Sequence, residues 1–295
     1  MGISTRAQAV LIATLGSEPQ VVTAALDLLL AQGEAITSTW VLHTSSPLPA
    51  ITQALEELRQ AFAQPPYAGS LPLRLCPLVD ESGRPLQDVE TPEDARAAFR
   101  VIYRQVREAK LGGYQAHLLI AGGRKTLAVF GMAAAQMLFD EHDRLWHLYS
   151  AGDFLQSRRL HPQPGDQVHL IPIPLIRWSQ VSPVLTDISR LEDPYQVVER
   201  LQELQLRQKI ELARSFVFGS LTPAERLAVE LLVREGLSDS DIAARLSLSP
   251  RTVEQHLRSA YQKAAYHWEL ADVQRAQLIT LLNFYYSMEN TGYPA

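Results

Sequence analysis

The sequence predicts a doubly wound α/β domain with a parallel sheet, followed by an all-α domain. In the first half, short apolar runs alternate with longer helical stretches, which is the pattern of a parallel sheet covered on both faces. Residues 154–174 change to short runs around proline and glycine, which predicts an antiparallel hairpin attached to that sheet. Beyond the hairpin, Val197, Leu201 and Leu204 form an apolar stripe at helical spacing, and the remaining patterns are helical.

Each predicted strand is an apolar or β-branched run of suitable length. The strands are expected at residues 10–14, 36–43, 71–77, 117–121 and 145–149. The first is apolar throughout, as expected for a strand buried on both faces. A helix follows it, with Ser17 as a possible cap, Pro19 in its first turn and Gly33 just past its end. Further helices are predicted at 48–62, 91–112 and 125–139.

The domain limits follow from these patterns and from the length of 295 residues. We expect the α/β ligand-binding domain over residues 1–176 and a linker with a connecting helix over 177–217. The helical domain is expected over 218–295. Charged residues make up 20% of the chain and hydrophobic residues 46%, which is typical of a globular protein.

The charge and the cysteine content limit which partners and which cellular compartment the protein is expected to have. With 27 basic and 32 acidic residues the net charge is −5, so any nucleic-acid binding has to come from a local basic patch. A single cysteine, Cys76, excludes an internal disulfide and is typical of a reducing compartment. The apolar run 9–15 is too short to cross a membrane. We therefore expect a cytoplasmic protein with no membrane contact.

Two predicted loops have chemistry suited to an anion. Thr14-Leu-Gly-Ser17 leaves the first strand toward a helix N-terminus, and Ala121-Gly-Gly-Arg-Lys-Thr126 leaves the fourth. The adjacent Gly122 and Gly123 permit a tight turn whose amides can hold a phosphate, with Arg124 and Lys125 adding positive charge. Neither loop is a Walker or dinucleotide-binding motif. The alternative is a glycine turn with solvated cations.

The two loops together carry a family resemblance. The Ala13–Gln20 sequence, with Ala121–Thr126 about a hundred residues later, resembles CARF-domain CRISPR-associated proteins, and is closest to their ring-nuclease subgroup. The likeness covers roughly residues 8–176. It implies a Rossmann-like homodimer that binds a cyclic oligoadenylate, usually cyclic tetra-adenylate, across its twofold axis. An even-membered ring can present an equivalent phosphate to each protomer.

The resemblance also implies a metal-free cleavage of the ring. A ribose 2′-hydroxyl attacks the neighbouring phosphorus and leaves a linear product with a 2′,3′-cyclic phosphate and a 5′-hydroxyl. Lys125 would stabilise charge, Ser17 would orient the scissile phosphate, and Arg124 would hold a phosphate or sugar. Gln20 would reach an adenine edge or ribose, the alternative being a solvent-facing residue. The expected ligand-binding residues are Thr14, Gly16, Gln20, Gly122, Gly123, Arg124 and Thr126.

No metal site or cofactor is expected. His142-Asp143, His147 and the upstream His117 lie near one another in the sequence, but their spacing matches no zinc pattern. Structural or surface histidines are the simpler interpretation.

The C-terminal part contains a helix-turn-helix pattern. The Leu221–Arg226, Ile242–Leu246 and Leu248–Val253 sequences closely resemble the LuxR/GerE helix-turn-helix, over about Leu221–Lys263. The resemblance implies that the last helix, capped by Ser249, enters the DNA major groove. The outward residues expected to meet bases and phosphates are Arg251, Thr252, Gln255 and Arg258, with Ser259 and Gln262.

Two features of this module leave its role open. Residues 264–268 replace the turn and arginine that usually follow in the LuxR family. The module also has six basic and six acidic residues from Leu221 to Trp268, so counterion release gives little non-specific affinity. The alternatives are a dimerisation or ligand-gating module. For the whole chain, the resemblance favours an enzyme that degrades the cyclic ligand and so switches off type III CRISPR signalling. The alternative is a ligand-regulated transcription factor that binds DNA and does not cleave the ligand.

Overall fold

The computed structural model describes residues 8–151, 154–181, 183–188 and 191–289. The chain divides into two compact units, Met1–Glu199 and Arg200–Ala295. The division falls within a long helix, α7 (Pro194–Ser215). The limits of the connecting segment that we expect from the sequence, 177–217, stay a prediction.

The first unit contains the expected mostly parallel sheet. Its strands are β1 (Ala9–Thr14), β2 (Ile36–His43), β3 (Leu73–Pro77), β4 (Gln115–Leu119), β5 (Arg144–Ala151) and β6 (Gln167–Pro172). Their order across the sheet is β3-β2-β1-β4-β5-β6. Strands β1 to β5 pair in parallel and β6 pairs antiparallel to β5. The antiparallel character expected of residues 154–174 is thus present, but this segment contributes one strand that pairs with β5 and not a hairpin of its own. Because β1 lies between β2 and β4, the connections diverge on either side of it.

Helices cover both faces of this sheet. They are α1 (Gln20–Ala31), α2 (Pro49–Phe62), α3 (Pro92–Leu111), α4 (Lys125–Leu138), α5 (Trp178–Val181) and α6 (Pro183–Ile188). Leu11 and Ala13 of β1 are buried in one core cluster with α1 and α2. Successive strand residues alternate between faces, and α3 contacts β1 and β4 while it packs on α4. The continuous apolar run of β1 therefore reflects burial on both sides.

Helix starts agree with the sequence in α3 but not in α1. Thr91 and Asp94 form a reciprocal capping box at the start of α3, where the sequence predicts a helix from residue 91. The expectation that Ser17 caps the first helix is wrong: α1 begins at Gln20, and the preceding Pro19 makes no side-chain cap. The φ of Pro19, −64°, already suits a helix start, so the turn ends two residues after Ser17. Ser17 is left exposed in the loop.

The second unit is helical around its own core. It continues from α7 through a π-helical turn at Phe216–Ser220 into α8 (Pro223–Glu235), α9 (Asp239–Leu246), α10 (Pro250–His267) and α11 (Arg275–Glu289). Thr222, Ser238 and Ser249 accept capping hydrogen bonds at the starts of α8, α9 and α10. The last helix, α11, begins at Arg275.

The 264–268 segment continues α10 and contacts the end of the connecting helix. The ring of Phe216 lies 4.7 Å from the Trp268 ring and 5.4 Å from the His267 ring, between centroids. His267 Nε2 lies 3.0 Å from the Leu212 carbonyl oxygen. The departure from the LuxR pattern thus attaches the far end of α10 to the end of α7. Within the described ranges, no helix combines the length and apolar character needed to cross a membrane.

Candidate functional site

The loops after β1 and β4 pack against each other backbone to backbone. Thr14 Oγ1 donates a 2.6 Å hydrogen bond to the Gly122 carbonyl oxygen. A Cβ on Gly122 would lie 2.3 Å from the Thr14 carbonyl oxygen, and one on Gly16 would lie 2.9 Å from the Gly123 nitrogen. Gly123 also has a φ of +81°, which favours glycine. The glycines are therefore required by close packing, and they leave the loop amides near the start of α4.

A cavity of about 570 Å³ opens beside these loops, past the carboxyl ends of the strands. It includes residues of the loops after β1, β2 and β4. The loop residues that line it are Leu15, Gly16, Ser17, Glu18, Thr44, Ser46, Ala121, Gly122, Gly123 and Arg124, joined by Asp88 from the segment before α3. Parallel sheets bind ligands at the point where the connections diverge, here between β1 and β4. Volume and position both suit a small-molecule site.

The charged side chains on the cavity wall are Glu18, Asp88 and Arg124, so its described lining carries one net negative charge. Arg124 Nε donates to Asp88 Oδ1 at 2.8 Å, and Arg124 Nη2 donates to Asp88 Oδ2. The hydrogen bond from Arg124 holds the pKa of Asp88 below its usual range. Asp88 also raises the pKa of Arg124. Sequence reasoning missed Asp88, because nothing in the sequence distinguishes it from other acidic loop residues.

Lys125 and Thr126 form the first turn of α4, and both are exposed. Neither is among the residues that line the cavity. Lys125 makes no ion pair within the described part of the chain, so its ammonium is available to a ligand held at the cavity mouth. Of the expected ligand-binding residues, Gly16, Gly122, Gly123 and Arg124 lie on the cavity wall, as does Ser17.

Two of the expected ligand-binding residues are buried in the fold. Thr14 is fully buried and holds Gly122 through its hydroxyl. Gln20 is also fully buried, so the solvent-facing alternative is wrong. Its Nε2 donates to the Leu155 carbonyl oxygen at 3.0 Å and to Glu18 Oε2 at 2.6 Å. Both side chains therefore fix the loops around the cavity.

Asp143 and His117 have structural surroundings, whereas His142 and His147 are exposed. Asp143 is buried and accepts hydrogen bonds from Lys110 Nζ at 2.9 Å and from the Ala116 amide at 2.7 Å. His117 is buried, which lowers its pKa to about 4, and its Nδ1 accepts from Trp146 Nε1 at 3.0 Å. Across the described residues, no group of three or more metal-binding side chains comes together.

The second candidate site is the outward face of α10. Arg251, Gln255 and Arg258 are exposed there, and Thr252 is half-buried at the helix start. The Thr252 hydroxyl lies 2.8 Å from the Ser249 hydroxyl, beside the helix N-terminus. Ser259, which we expected to face outward, instead donates to Glu225 at 2.6 Å. Ser259 makes this internal contact because α8 packs on α10 and brings the buried carboxylate of Glu225 close to its hydroxyl.

Most cations of this module are engaged within it. The engaged cations are Arg226 with the Val217 carbonyl oxygen, Arg234 with Glu230, Arg245 with Glu235 and Lys263 with Glu225. From Leu221 to Trp268, where every residue is described, this leaves Arg251 and Arg258 as the cations with neither an ion pair nor a hydrogen bond. Glu254 is also exposed between these two arginines, so this face of α10 has two free cations and one carboxylate, a net charge of +1 that the even charge count conceals.

Three comparisons bear on the two units. A family model described as CRISPR-associated protein NE0113 matches residues 18–207. A second model, sigma-70 region 4, matches residues 216–263 and supports the helix-turn-helix, while the LuxR/GerE type stays a prediction. Putative HTH-type transcriptional regulators of Mycobacterium bovis and Mycobacterium tuberculosis are 61% identical to the chain over 46 residues. That segment is 16% of the chain and 5% of each relative, so the likeness concerns a short module.

Proposed function

The chain belongs to the CRISPR-associated NE0113 family, and from this premise we propose that it is a ligand-responsive DNA-binding regulator whose ligand is a cyclic oligoadenylate. One observation carries the ligand proposal. Two glycine loops pack backbone to backbone at the carboxyl edge of the sheet, and Gly16, Gly122, Gly123 and Arg124 of these loops line a cavity. Backbone amides at a helix N-terminus bind phosphate groups without requiring any particular side chain.

The ligand is shared by two copies of the chain. Each cavity has about 570 Å³, which suits a drug-sized molecule and is small for a ring of four nucleotides. Val129 and Met132 lie one and two turns after Lys125 on α4, and they are 64% and 38% exposed. This apolar stripe beside the ligand loop is the face offered to the second copy. A twofold axis here gives each protomer an equivalent half of the ring.

The helix-turn-helix reads DNA through α10. Arg251 and Arg258 supply its free positive charge, and Gln255 lies between them on the same exposed face. Arginine pairs with guanine and glutamine with adenine at the edges of the major groove. The other basic residues of the module are engaged internally, so binding depends on base contacts more than on general attraction to phosphates.

Cleavage of the ligand is the second candidate function. It is favoured by Lys125, an exposed lysine beside Arg124 at the start of α4. The 2′-oxygen bonds to phosphorus as the P–O5′ bond breaks, and the 2′-hydroxyl proton passes through solvent to the departing 5′-oxygen. The products are a 2′,3′-cyclic phosphate and a 5′-hydroxyl, and no metal or further reactant is needed. Lys125 stabilises the charge that develops on the phosphoryl oxygens.

One experiment separates these functions. Purified protein is titrated with cyclic tetra-adenylate in EDTA by calorimetry, and the mixtures are then resolved chromatographically. Linear tetra-adenylate is the matched control for ring recognition. Saturable binding of the intact ring supports the regulator, and linear products with a 2′,3′-cyclic phosphate support the enzyme. Absence of binding to the ring at millimolar concentration contradicts both.

A further inference from the structure

Asp88 lies on the cavity wall, opposite in charge to Arg124 and paired with it through both carboxylate oxygens. The two residues come from different loops, 36 positions apart in the chain. Asp88 is 23% exposed and Arg124 is 60% exposed. The pair therefore sits at the boundary between the cavity and solvent, where an entering anion meets it first.

The segment that carries Asp88 is fixed a short distance away. The Ser45 amide donates to the Leu86 carbonyl oxygen at 2.7 Å, and the Leu86 amide donates to the Leu78 carbonyl oxygen at 2.8 Å. Leu86 itself is buried. Asp88 is two residues beyond this anchor, so its carboxylate is held at the cavity by the fold.

Asp88 occupies the edge of the Arg124 guanidinium that a phosphate would also bind. A guanidinium binds a carboxylate or a phosphate most strongly through two parallel N–H groups. In Arg124 the Nε and one Nη2 hydrogen already point at Asp88. A phosphate that takes the same edge has to displace the carboxylate, and it also meets the negative charges of Asp88 and Glu18.

We propose that Asp88 is a specificity-determining residue that occupies Arg124 in the free protein and is displaced by the phosphates of the incoming ligand. The inference rests on the proposed ligand class of this cavity. Exchanging one anion for another at Arg124 contributes little net affinity, so a ligand must gain affinity from contacts elsewhere. Anions with a single phosphate therefore bind too weakly to displace Asp88 from Arg124. A ring with several phosphates and bases gains enough affinity from its other contacts to displace it.

The test uses the full chain and four variants: Asp88→Asn, Arg124→Ala, the double variant, and Glu90→Gln as the matched control. Glu90 is exposed, lies two residues from Asp88, and acts on Arg124 as a more distant charge. Each protein is titrated by calorimetry with cyclic tetra-adenylate and, separately, with inorganic pyrophosphate. An exposed ion pair contributes up to about 1 kcal/mol, or roughly fivefold in Kd. Asp88→Asn should therefore tighten binding by up to about fivefold.

The double variant distinguishes displacement from general repulsion. If Asp88 competes for Arg124, Asp88→Asn has little effect once Arg124 is alanine, and Glu90→Gln has little effect in either background. Unchanged or weaker binding of both probes by Asp88→Asn overturns the inference and makes Asp88 a support for Arg124. An equal gain from Asp88→Asn in the Arg124→Ala background also overturns it. If pyrophosphate gives the expected pattern and no variant binds the ring, Asp88 keeps this role and the cyclic oligoadenylate proposal fails.

Discussion

The Lys263 ammonium lies 2.6 Å from Glu225 Oε2, and this contact joins the start of α8 to the second half of α10. Glu225 also receives the Thr222 amide at 2.8 Å and the Ser259 hydroxyl at 2.6 Å. Burial acts to raise the pKa of this carboxyl, but the hydrogen bonds from Lys263, Ser259 and Thr222 lower it to about 2. One buried carboxylate thus caps α8 and fixes the position of α10.

We expect Glu225→Gln to destabilise the second unit by about 2–3 kcal/mol, since a neutral amide replaces the buried carboxylate that accepts charge-assisted hydrogen bonds from Lys263, Ser259 and Thr222. The matched control is Glu230→Gln, which breaks an exposed pair with Arg234 and should cost about 0.5 kcal/mol or less. Urea-dependent hydrogen exchange of the α8 and α10 amides in the full chain measures both.

The pH dependence of this contribution has a definite sign. The pKa of Glu225 is lowered on folding from its ordinary value of 4.5 to about 2. Its stabilisation is therefore complete above about pH 4.5 and is lost as the pH falls toward about 2. The difference between the wild-type chain and Glu225→Gln should shrink over that window. A difference that is constant from pH 7 to pH 2.5 contradicts this role for the charged carboxylate.

Gly122→Ala should disrupt the ligand site. The added methyl group would lie 2.3 Å from the Thr14 carbonyl oxygen, so one of the two loops has to move. We expect a loss of about 1–3 kcal/mol in stability, as for other overpacked sites, and at least a tenfold loss of ring affinity. Gly219→Ala is the control because its methyl group meets nothing within 4 Å. Melting temperature and calorimetry give the two readouts.

Lys125→Ala tests the cleavage candidate. Loss of one charge-stabilising group should lower single-turnover cleavage of the ring by roughly a hundredfold, and binding should weaken less. Lys125→Arg keeps the charge and serves as the control. Its cleavage rate is expected to lie between those of the wild-type chain and Lys125→Ala. The rate is followed by chromatography with enzyme in excess. Cleavage at the wild-type rate in Lys125→Ala removes this residue from the mechanism.

Arg251→Ala and Arg258→Ala should each weaken specific DNA binding by about 1–3 kcal/mol if the arginine contacts a guanine. Arg245→Ala is the control, because Arg245 is already paired with Glu235 at 2.9 Å. Affinities are measured on a site selected from a random duplex library, with and without cyclic tetra-adenylate. Random duplex should bind poorly even at low salt. A selection that enriches no sequence under either condition rejects DNA reading.

The proposed dimer can be tested through the exposed stripe on α4. We expect light scattering to give twice the chain mass of 32.9 kDa. Val129→Glu should shift this toward the monomer, because it places a charge in an apolar contact. Leu111→Glu changes a comparably exposed apolar residue at the end of α3, 67% exposed against 64% for Val129, and should leave the mass unchanged. A monomeric wild-type chain, with and without ligand, contradicts the shared site.

The sequence alone determined the fold class and the paired loops. The alternation of strands and helices along the chain, an antiparallel segment after it, the start of α3 and the Ser249 cap of α10 follow from local patterns, because periodicity and capping depend on neighbours in the chain. Gly122 and Gly123 were predicted as a tight turn on the same basis. The NE0113 and sigma-70 region 4 matches fall on the two parts that the patterns separated.

The tertiary structure alone decided which of the predicted residues line the cavity. Thr14 and Gln20 are buried because β1 and α1 are covered on all sides, which neighbouring residues in the sequence do not reveal. Asp88 meets Arg124 across 36 residues, and Ser259 meets Glu225 across 34, through the packing of separate elements. The sequence gives only the numbers of positive and negative residues. Which of them form ion pairs and which stay free depends on the distances between their side chains, and those distances are set by the folded structure.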